Sequence, residues 1–286
     1  MTEQREVVVL SGVRTAIGKY GGGLKDVPPC DLAATVVREV VARSGVEQID
    51  VGHAVFGNVI HTEVRDMYLG RVAAVNGGLP VETPAFNVNR LCGSGLQAIV
   101  SAAQAIKLGD ADAAVAGGAE SMSRAQYWLP GMRWGQLMGD GGTVDAMVGA
   151  LTDPFDSCHM GVTAENVASD YGVSRQDQDA LAAESHRRAA AATEAGYFKE
   201  QIMPIEVKGR KGHGDGRHRR AHPARCDHRR PGQAAAFVRR RRHRDARQRF
   251  RHQRRRRGGG DRIGIVRRRA GAEPARAAGR LQPRRG

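Results

Sequence analysis

Hydrophobic positions in the first 212 residues alternate between two patterns, which predict strands and helices in turn. Four short apolar runs have the length and the β-branched content of buried strands: residues 7–10, 53–60, 85–91 and 113–116. Three longer stretches between them are predicted to be helices: residues 31–42, where apolar residues recur on one helical face, residues 65–75, and residues 95–107, which are rich in small side chains. Strands that alternate with helices at this spacing predict an α/β fold, a mostly parallel sheet with helices on both faces.

The alternating pattern breaks down at residue 121. Residues 121–151 include the stretch YWLPGMRWGQLMGDGG, which is too irregular for a sheet and too apolar for a bare linker. We therefore predict an excursion that packs against another surface. Helical periodicity resumes at residues 163–171 and 175–196, where Ser174 suits the N-cap position and Gly196 suits the end of the helix. A short strand is predicted at residues 204–207.

Charge divides the chain near residue 212. Residues 1–212 carry 19 basic and 25 acidic side chains, whereas residues 213–286 carry 26 arginines, no lysine and five acidic side chains. The net charge of +15 therefore belongs to the last part of the chain alone. We expect three parts: an α/β domain at 1–120, an inserted loop domain at 121–212, and an irregular, disordered tail at 213–286.

Several classes of protein do not fit this sequence. No apolar run reaches the about 20 residues of a membrane span, and the first residues lack a secretory signal, so we expect a cytoplasmic protein without a membrane partner. The four cysteines have neither paired nor metal-ligand spacing, so we expect no disulfide and no metal. Three glycines at 21–23 lack the spacing of a dinucleotide-binding loop.

One cysteine occupies a position typical of reactive thiols. Residues 87–97 read NVNRLCGSGLQ, so Cys92 ends a predicted strand and a Gly-Ser-Gly turn opens the next helix. Backbone N–H groups at a helix start favour the thiolate, and glycines let a substrate approach the sulfur. A small buried cysteine, the commoner role of a lone cysteine, is also compatible with this spacing. Spacing alone leaves both interpretations open.

The sequence around Cys92, NVNRLCGSGLQAI, resembles the segment around the acylated cysteine of the thiolase family. The segments VRTAIGKYGGGLKD, FGNVI, AVAGGAESMS and HMGVTAENVA resemble others of that family and follow in the family's order. The resemblance covers nearly all of residues 5–212. It implies a thiolase-like N-terminal half with an inserted loop domain, and it places the catalytic nucleophile at Cys92.

The resemblance also implies a reaction. In thiolases the cysteine takes an acetyl group from acetyl-CoA as a thioester, and a second acetyl-CoA attacks it to give acetoacetyl-CoA; the reverse reaction is thiolysis of a 3-ketoacyl-CoA. Coenzyme A thioesters are substrates here, and no cofactor is implied. The HMG segment puts His159 and Met160 on the path of the pantetheine and the substrate. A surface histidine and a core methionine remain the alternatives for these two residues.

Other parts of the resemblance concern assembly and completeness. Residues 127–135 resemble the tetramer-forming loop of the family, which implies that intact relatives are homotetramers or dimers. The family's later half supplies an Asn-Glu-Ala-Phe segment, a Gly-His-Pro histidine and a second cysteine in a Cys-x-Gly segment. This sequence contains none of the three after Cys92. We therefore expect the chain itself to be inactive, with an exposed strand edge and an apolar patch that favour aggregation.

The arginine-rich tail has three interpretations. It could bind nucleic acid by counterion release, or it could be a solvated disordered segment. A third interpretation is that a GC-rich coding sequence is translated in the wrong frame, which yields Arg, Ala, Gly and Pro without Lys. Codons for residues 213–265 can be chosen so that the same DNA, translated in a frame shifted by one base, gives a thiolase-like continuation that contains GNASG. We favour the third interpretation over a nucleic-acid partner and keep a basic nucleic-acid-binding arm as the alternative function.

Overall fold

The computed structural model describes residues 6–207 and the backbone of residues 219–220. Its α-helices are α1 Pro29–Ser44, α2 Leu69–Asn76, α3 Ser94–Leu108, α4 Ala146–Ala150, α5 Met160–Asp170 and α6 Arg175–Glu194. Its strands are β1 Arg14–Thr15, β2 Val51–Gly57, β3 Ala85–Val88, β4 Ala113–Gly118, β5 Tyr127–Trp128, β6 Val144–Asp145, β7 Ile202–Met203, β8 Glu206–Val207 and β9 Arg219–Arg220. Short 3-10 helices lie at Gln48–Asp50, Val64–Tyr68, Met122–Arg124 and Met132–Trp134.

Three parallel strands form the central sheet, in the order β3-β2-β4. Side chains of β2 alternate between the two faces of this sheet. Phe56 packs with α1 and α2 on one face, and Val55 packs with Ala98 and Ala102 of α3 on the other. The structure therefore confirms the predicted mostly parallel sheet with helices on both faces.

The main core lies between the sheet and the pair α1 and α2. It is built from fully buried aliphatic side chains, among them Val37, Leu69, Ala73 and Ala54. Helix α1 begins at a proline, which is favoured in the first turn, and ends at Gly45 in a left-handed conformation. On the other face, alanines of α3 let that helix approach the sheet closely.

The predicted buried strand at residues 7–10 is wrong. These residues belong to no strand, and Val8, Val9 and Leu10 are exposed, Val9 to 84%. The first strand is instead β1, which pairs in parallel with β7. A strand needs a neighbour for its backbone hydrogen bonds, and no described residue pairs with residues 7–10. The apolar pattern of these residues predicts burial, but it does not show which strand would pair with them.

The excursion at residues 121–151 contains a short antiparallel ladder. Strands β5 and β6 pair with each other, and α4 follows β6 directly, capped by the Asp145 carboxylate. The tip between these strands is apolar yet exposed, and Trp134 is 86% exposed. The predicted packing surface for this tip is not found among the described residues.

Two helices, α5 and α6, follow the excursion. Ser174 caps α6 as predicted, in a capping box with Asp177, and Gly196 follows the helix with a φ of +77°. Of the strand predicted at residues 204–207, only Glu206–Val207 forms one, as β8, which pairs with β9; β7 lies before Pro204 and outside the predicted range. The rest of the predicted disordered tail at 213–286 lies outside the described residues.

Within residues 6–207, none of the helices has both the length and the apolar character needed to cross a bilayer. The division between an α/β domain at 1–120 and a loop domain at 121–212 stays a prediction.

Candidate active site around Cys92

Cys92 lies on a tight turn that joins β3 to α3. The Gly93 N–H donates to the Arg90 carbonyl at 3.0 Å, and the Ser94 hydroxyl donates to the Leu91 carbonyl at 2.7 Å. Leu91 has a φ of +47°, a left-handed conformation that costs energy for a residue with a side chain. Cys92 itself is exposed, one residue before the N-cap Gly93. This strand-turn-helix arrangement resembles the elbow that presents nucleophiles in other α/β enzymes.

Gly57 lets the end of β2 approach this turn. A Cβ atom added at Gly57 would lie 2.8 Å from both the carbonyl carbon and the Cβ of Ser94. One of these atoms belongs to the backbone and the other is attached to it, so neither can move aside without shifting the backbone of α3. The absence of a side chain at Gly57 therefore brings residues 58–60 against the start of α3.

A cavity of about 410 Å³ opens beside Cys92. It lies at the carboxyl ends of β2 and β4, where ligands bind in open α/β sheets, and α4 closes one side of it. Apolar side chains dominate the lining: Val59, Ile60, Leu91, Met122, Met147 and Leu151. A nucleophile beside an apolar chamber suits the transfer of a short acyl group. A larger cavity of about 620 Å³ borders it at Gly118, Ala119, Glu120 and Met122, but Cys92 is not in its lining.

Two polar side chains, Asn58 and Glu120, join the loops that form this cavity. Asn58 is 2% exposed, and its amide nitrogen donates to the Ala119 carbonyl at 3.0 Å and to Glu120 at 3.2 Å. The Glu120 carboxylate accepts the N–H groups of Val59 at 2.8 Å and Ile60 at 3.3 Å. Burial raises the pKa of Glu120, and these two backbone N–H groups partly offset that shift.

The two residues predicted to bind CoA lie beside the cavity rather than in its lining. The His159 Nδ1 atom accepts the Gly161 N–H at 3.0 Å and so caps α5. The Met160 N–H donates to the carbonyl of Leu151 at 2.8 Å, which ties this segment to a residue that does line the cavity. Both residues are exposed. Their contact with CoA stays a prediction.

Comparison with known proteins identifies the family. Residues 7–223 match the family model described as thiolase, N-terminal domain. The chain belongs to the thiolase family. The resemblance read from the sequence is thereby confirmed, and the protein is a member of an enzyme family.

The relatives of this thiolase chain are about twice as long as the part it matches. The beta-ketothiolase BktB of Cupriavidus necator is 69% identical over 208 residues, which make up 73% of this chain and 53% of that protein. An acetyl-CoA acetyltransferase of Chromobacterium violaceum is 48% identical over 208 residues, 72% of this chain and 53% of that protein. The chain therefore spans about half the length of the curated relatives it matches.

Solved structures confirm the thiolase fold. An acetyl-CoA acetyltransferase from Bacillus anthracis is 41% identical, with a TM-score of 0.69, over 72% of this chain and 52% of that structure. A human mitochondrial 3-ketoacyl-CoA thiolase in complex with CoA is 38% identical, with a TM-score of 0.67, over 69% of this chain and 50% of that structure.

Most of the cavity lining of this thiolase chain was not predicted from the sequence. A usable signal existed for Asn58 and Glu120, because they follow the carboxyl ends of β2 and β4, and parallel strands end at one edge of the sheet. Met147 and Leu151 gave no such signal. They come from the irregular excursion, whose fold has no simple periodicity.

Among the described residues, one group could in principle hold a metal ion: Cys30, Glu63 and Asp66. Its polar atoms already have partners in the protein. The Cys30 thiol donates to Asp66 at 3.3 Å, and the other Asp66 oxygen accepts the Thr62 N–H at 2.7 Å and the Thr62 hydroxyl at 2.8 Å. Burial and the Asp66 carboxylate raise the pKa of Cys30 to about 12. The cluster therefore joins α1 to the segment before α2 through a protonated thiol.

Proposed function

We propose that this chain supplies the acyl-accepting part of a thiolase active site, with Cys92 as the nucleophile. The observation that carries the proposal is the position of Cys92, exposed on a tight turn at the start of α3 and beside an apolar cavity. The family segment around the cysteine and the names of the relatives support the same chemistry.

The step proposed for Cys92 is thioester exchange. The Cys92 thiolate attacks the carbonyl carbon of acetyl-CoA, a new carbon–sulfur bond forms, and the bond to the CoA sulfur breaks. CoA leaves as a thiolate and takes up a proton from solvent. In the complete reaction a second acetyl-CoA takes the acetyl group to give acetoacetyl-CoA, and thiolysis of a 3-ketoacyl-CoA is the reverse.

The cavity supports a small acyl group as the cargo of Cys92. Its lining offers methionine and aliphatic side chains, which suit a methyl or short alkyl chain. We place the CoA portion of the substrate near His159 and Met160, because their segment is hydrogen-bonded to Leu151 at the edge of the cavity. The CoA bound in the human 3-ketoacyl-CoA thiolase is consistent with this substrate class.

We further propose that the chain alone does not complete the catalytic cycle. The sequence has no Gly-His-Pro histidine and no second Cys-x-Gly cysteine, the groups to which the family resemblance assigns activation and proton transfer. A thiolase needs these groups to deprotonate the second acetyl-CoA.

We attribute residues 213–286 to a shift of reading frame. The abrupt change to 26 arginines without lysine supports this proposal, and so does the match to relatives over only 208 residues of the chain.

The predicted homotetramer or dimer of intact relatives also stays a proposal, supported by the exposed apolar tip around Trp134. The alternative, a nucleic-acid-binding arm, concerns residues that lie outside the described part of the chain.

Acetyl transfer to Cys92 tests the proposed function. The purified chain is incubated with acetyl-CoA, digested at low pH and analysed by mass spectrometry, alongside a Cys92→Ala variant. We expect one acetyl group on the peptide that contains Cys92, none in the variant, and thiolysis of acetoacetyl-CoA no faster than in the variant. Acetylation of Cys158 instead of Cys92 would contradict the role of Cys92. Thiolysis above the level of the variant would contradict the predicted inactivity.

A further inference from the structure

The backbone hydrogen bonds between β2 and β4 end where the wall of the Cys92 cavity begins. One step beyond the strands, the Ala119 N–H still donates to the Gly57 carbonyl at 3.1 Å. Two residues further along the loop after β2, a side chain takes over from the backbone. The Glu120 carboxylate accepts the N–H groups of Val59 at 2.8 Å and Ile60 at 3.3 Å. Glu120 therefore supplies the acceptors that these two groups need once the strands separate.

The two residues held in this way form part of the cavity wall. Val59 and Ile60 both line the cavity beside Cys92, and Ile60 is buried. Both side chains are β-branched, so they have few rotamers and their positions follow the backbone closely. A contact that fixes the backbone at residues 59–60 therefore also fixes the shape of this wall.

Asn58 holds the Glu120 carboxylate in place. Its side chain is 2% exposed, and its amide nitrogen donates to Glu120 at 3.2 Å and to the Ala119 carbonyl at 3.0 Å. No described residue donates to the Oδ1 atom of Asn58. A buried acceptor without a donor lowers stability, so the contribution of Asn58 to this region comes from its N–H donors. These donors position Glu120, which is itself partly exposed.

Other side chains of the segment after β4 hold the rest of the same loop. The Gln126 amide donates to the His61 carbonyl, and Arg124 forms an ion pair with Glu63 at 2.9 Å. The segment then continues through β5 and β6 to α4, which closes another side of the cavity. Loss of the Glu120 contact should therefore release residues 59–60 while the remainder of the loop stays attached.

We propose that Glu120 is a positioning residue that selects the acyl group transferred to Cys92. It does so by fixing the backbone of Val59 and Ile60 in the cavity wall. With both N–H groups held, the wall keeps the cavity suited to a short acyl chain. Without the carboxylate the wall moves more freely, and longer chains are accepted more readily. Glu120 takes no part in bond formation at Cys92, and the inference rests on the proposed acyl transfer to that cysteine.

The test compares acyl transfer to Cys92 from acetyl-CoA and from octanoyl-CoA in the full 286-residue chain. Mass spectrometry of the Cys92 peptide gives a rate for each thioester, and the ratio of the two rates measures selectivity. In Glu120→Ala we expect this ratio to shift by about fivefold or more toward octanoyl-CoA. Glu120→Gln keeps the length and one acceptor oxygen, so its shift should be smaller. Glu82→Gln, at an exposed site that lines neither cavity, should leave the ratio unchanged.

Hydrogen exchange gives a second measurement that does not depend on acyl transfer. The amides of Val59 and Ile60 should exchange about fivefold faster or more in Glu120→Ala than in the wild-type chain, and the amide of Val55 inside β2 should be unaffected. If Glu120 served stability alone, its loss would lower both acylation rates by the same factor and leave their ratio unchanged. That result would overturn the proposal, and so would unchanged exchange at residues 59 and 60.

Failure of this inference is distinguishable from failure of the proposed function. If neither thioester acylates Cys92 in the wild-type chain, the proposed acyl transfer is wrong, and the selection of acyl groups falls with it. If acylation occurs and Glu120→Ala keeps the wild-type ratio, only the role of Glu120 is wrong. Circular dichroism shows whether each variant folds. If Glu120→Ala does not, Asn58→Leu, which removes the donor that positions the carboxylate, replaces it, with a shift in the same direction expected.

Discussion

At the scale of single residues, Cys92 and Cys30 show how surroundings give one type of side chain two roles. Cys92 lies exposed on the turn before α3. Cys30 is fully buried at the start of α1, and its S–H group donates a hydrogen bond to the Asp66 carboxylate. Burial and the nearby carboxylate raise the pKa of Cys30 to about 12, so this thiol is neutral at physiological pH.

Alkylation should therefore distinguish the two cysteines. At pH 8 we expect iodoacetamide to modify Cys92 rapidly and Cys30 at least a hundredfold more slowly, because the thiolate is the reactive form and Cys30 is shielded. Cys30 should become reactive only as the pH approaches 12. Peptide mass spectrometry over time measures both rates, with Cys92→Ala as the control. Similar rates at pH 8 would show that the Cys30 cluster opens readily.

At the scale of secondary structure elements, features within an element were predicted better from the sequence than pairing between distant elements. Helices α1 and α3 were predicted to within about two residues, because their apolar periodicity and capping residues lie within the elements themselves. The prediction of a strand at residues 7–10 was wrong, because a strand needs a neighbour for its backbone hydrogen bonds and none of the described residues supplies one. The position of Cys92 before a helix was predictable, but the closure of its cavity by α4 was not.

Gly57 provides a test of how two elements meet at the site. A methyl group at this position would overlap the backbone of Ser94, so Gly57→Ala should push the Cys92 turn away from β2. We expect a loss of about 1–3 kcal/mol in the free energy of unfolding, the usual cost of overpacking. Urea denaturation measures it, and the alkylation rate of Cys92 should change as well.

Gly142→Ala is the matched control, because a methyl group there would contact nothing within 4 Å. Its free energy of unfolding should stay within about 1 kcal/mol of that of the wild type. If the two variants lose the same stability, the close approach of β2 to α3 is not the reason that position 57 requires glycine.

At the scale of the whole molecule, the chain corresponds to about half of its thiolase relatives. It belongs to the thiolase family and spans about half the length of the curated relatives it matches. Among the described residues, one edge of β4 has no neighbouring strand, and the apolar side chains of Val8, Val9 and Leu10 are exposed. Exposed strand edges and apolar patches promote association, so the same features account for the predicted aggregation of the isolated chain.

We have proposed that a shift of reading frame near residue 212 produces the arginine-rich sequence at residues 213–286. Sequencing the encoding DNA across the codons for residues 208–220 tests this proposal. We predict that adding or removing one base restores a thiolase-like continuation leading to GNASG, in which case the activity should be assigned to the full-length thiolase. If the frame is confirmed and the adjacent frame encodes nothing thiolase-like, the claim is wrong, and the arginine-rich segment must be tested for nucleic-acid binding.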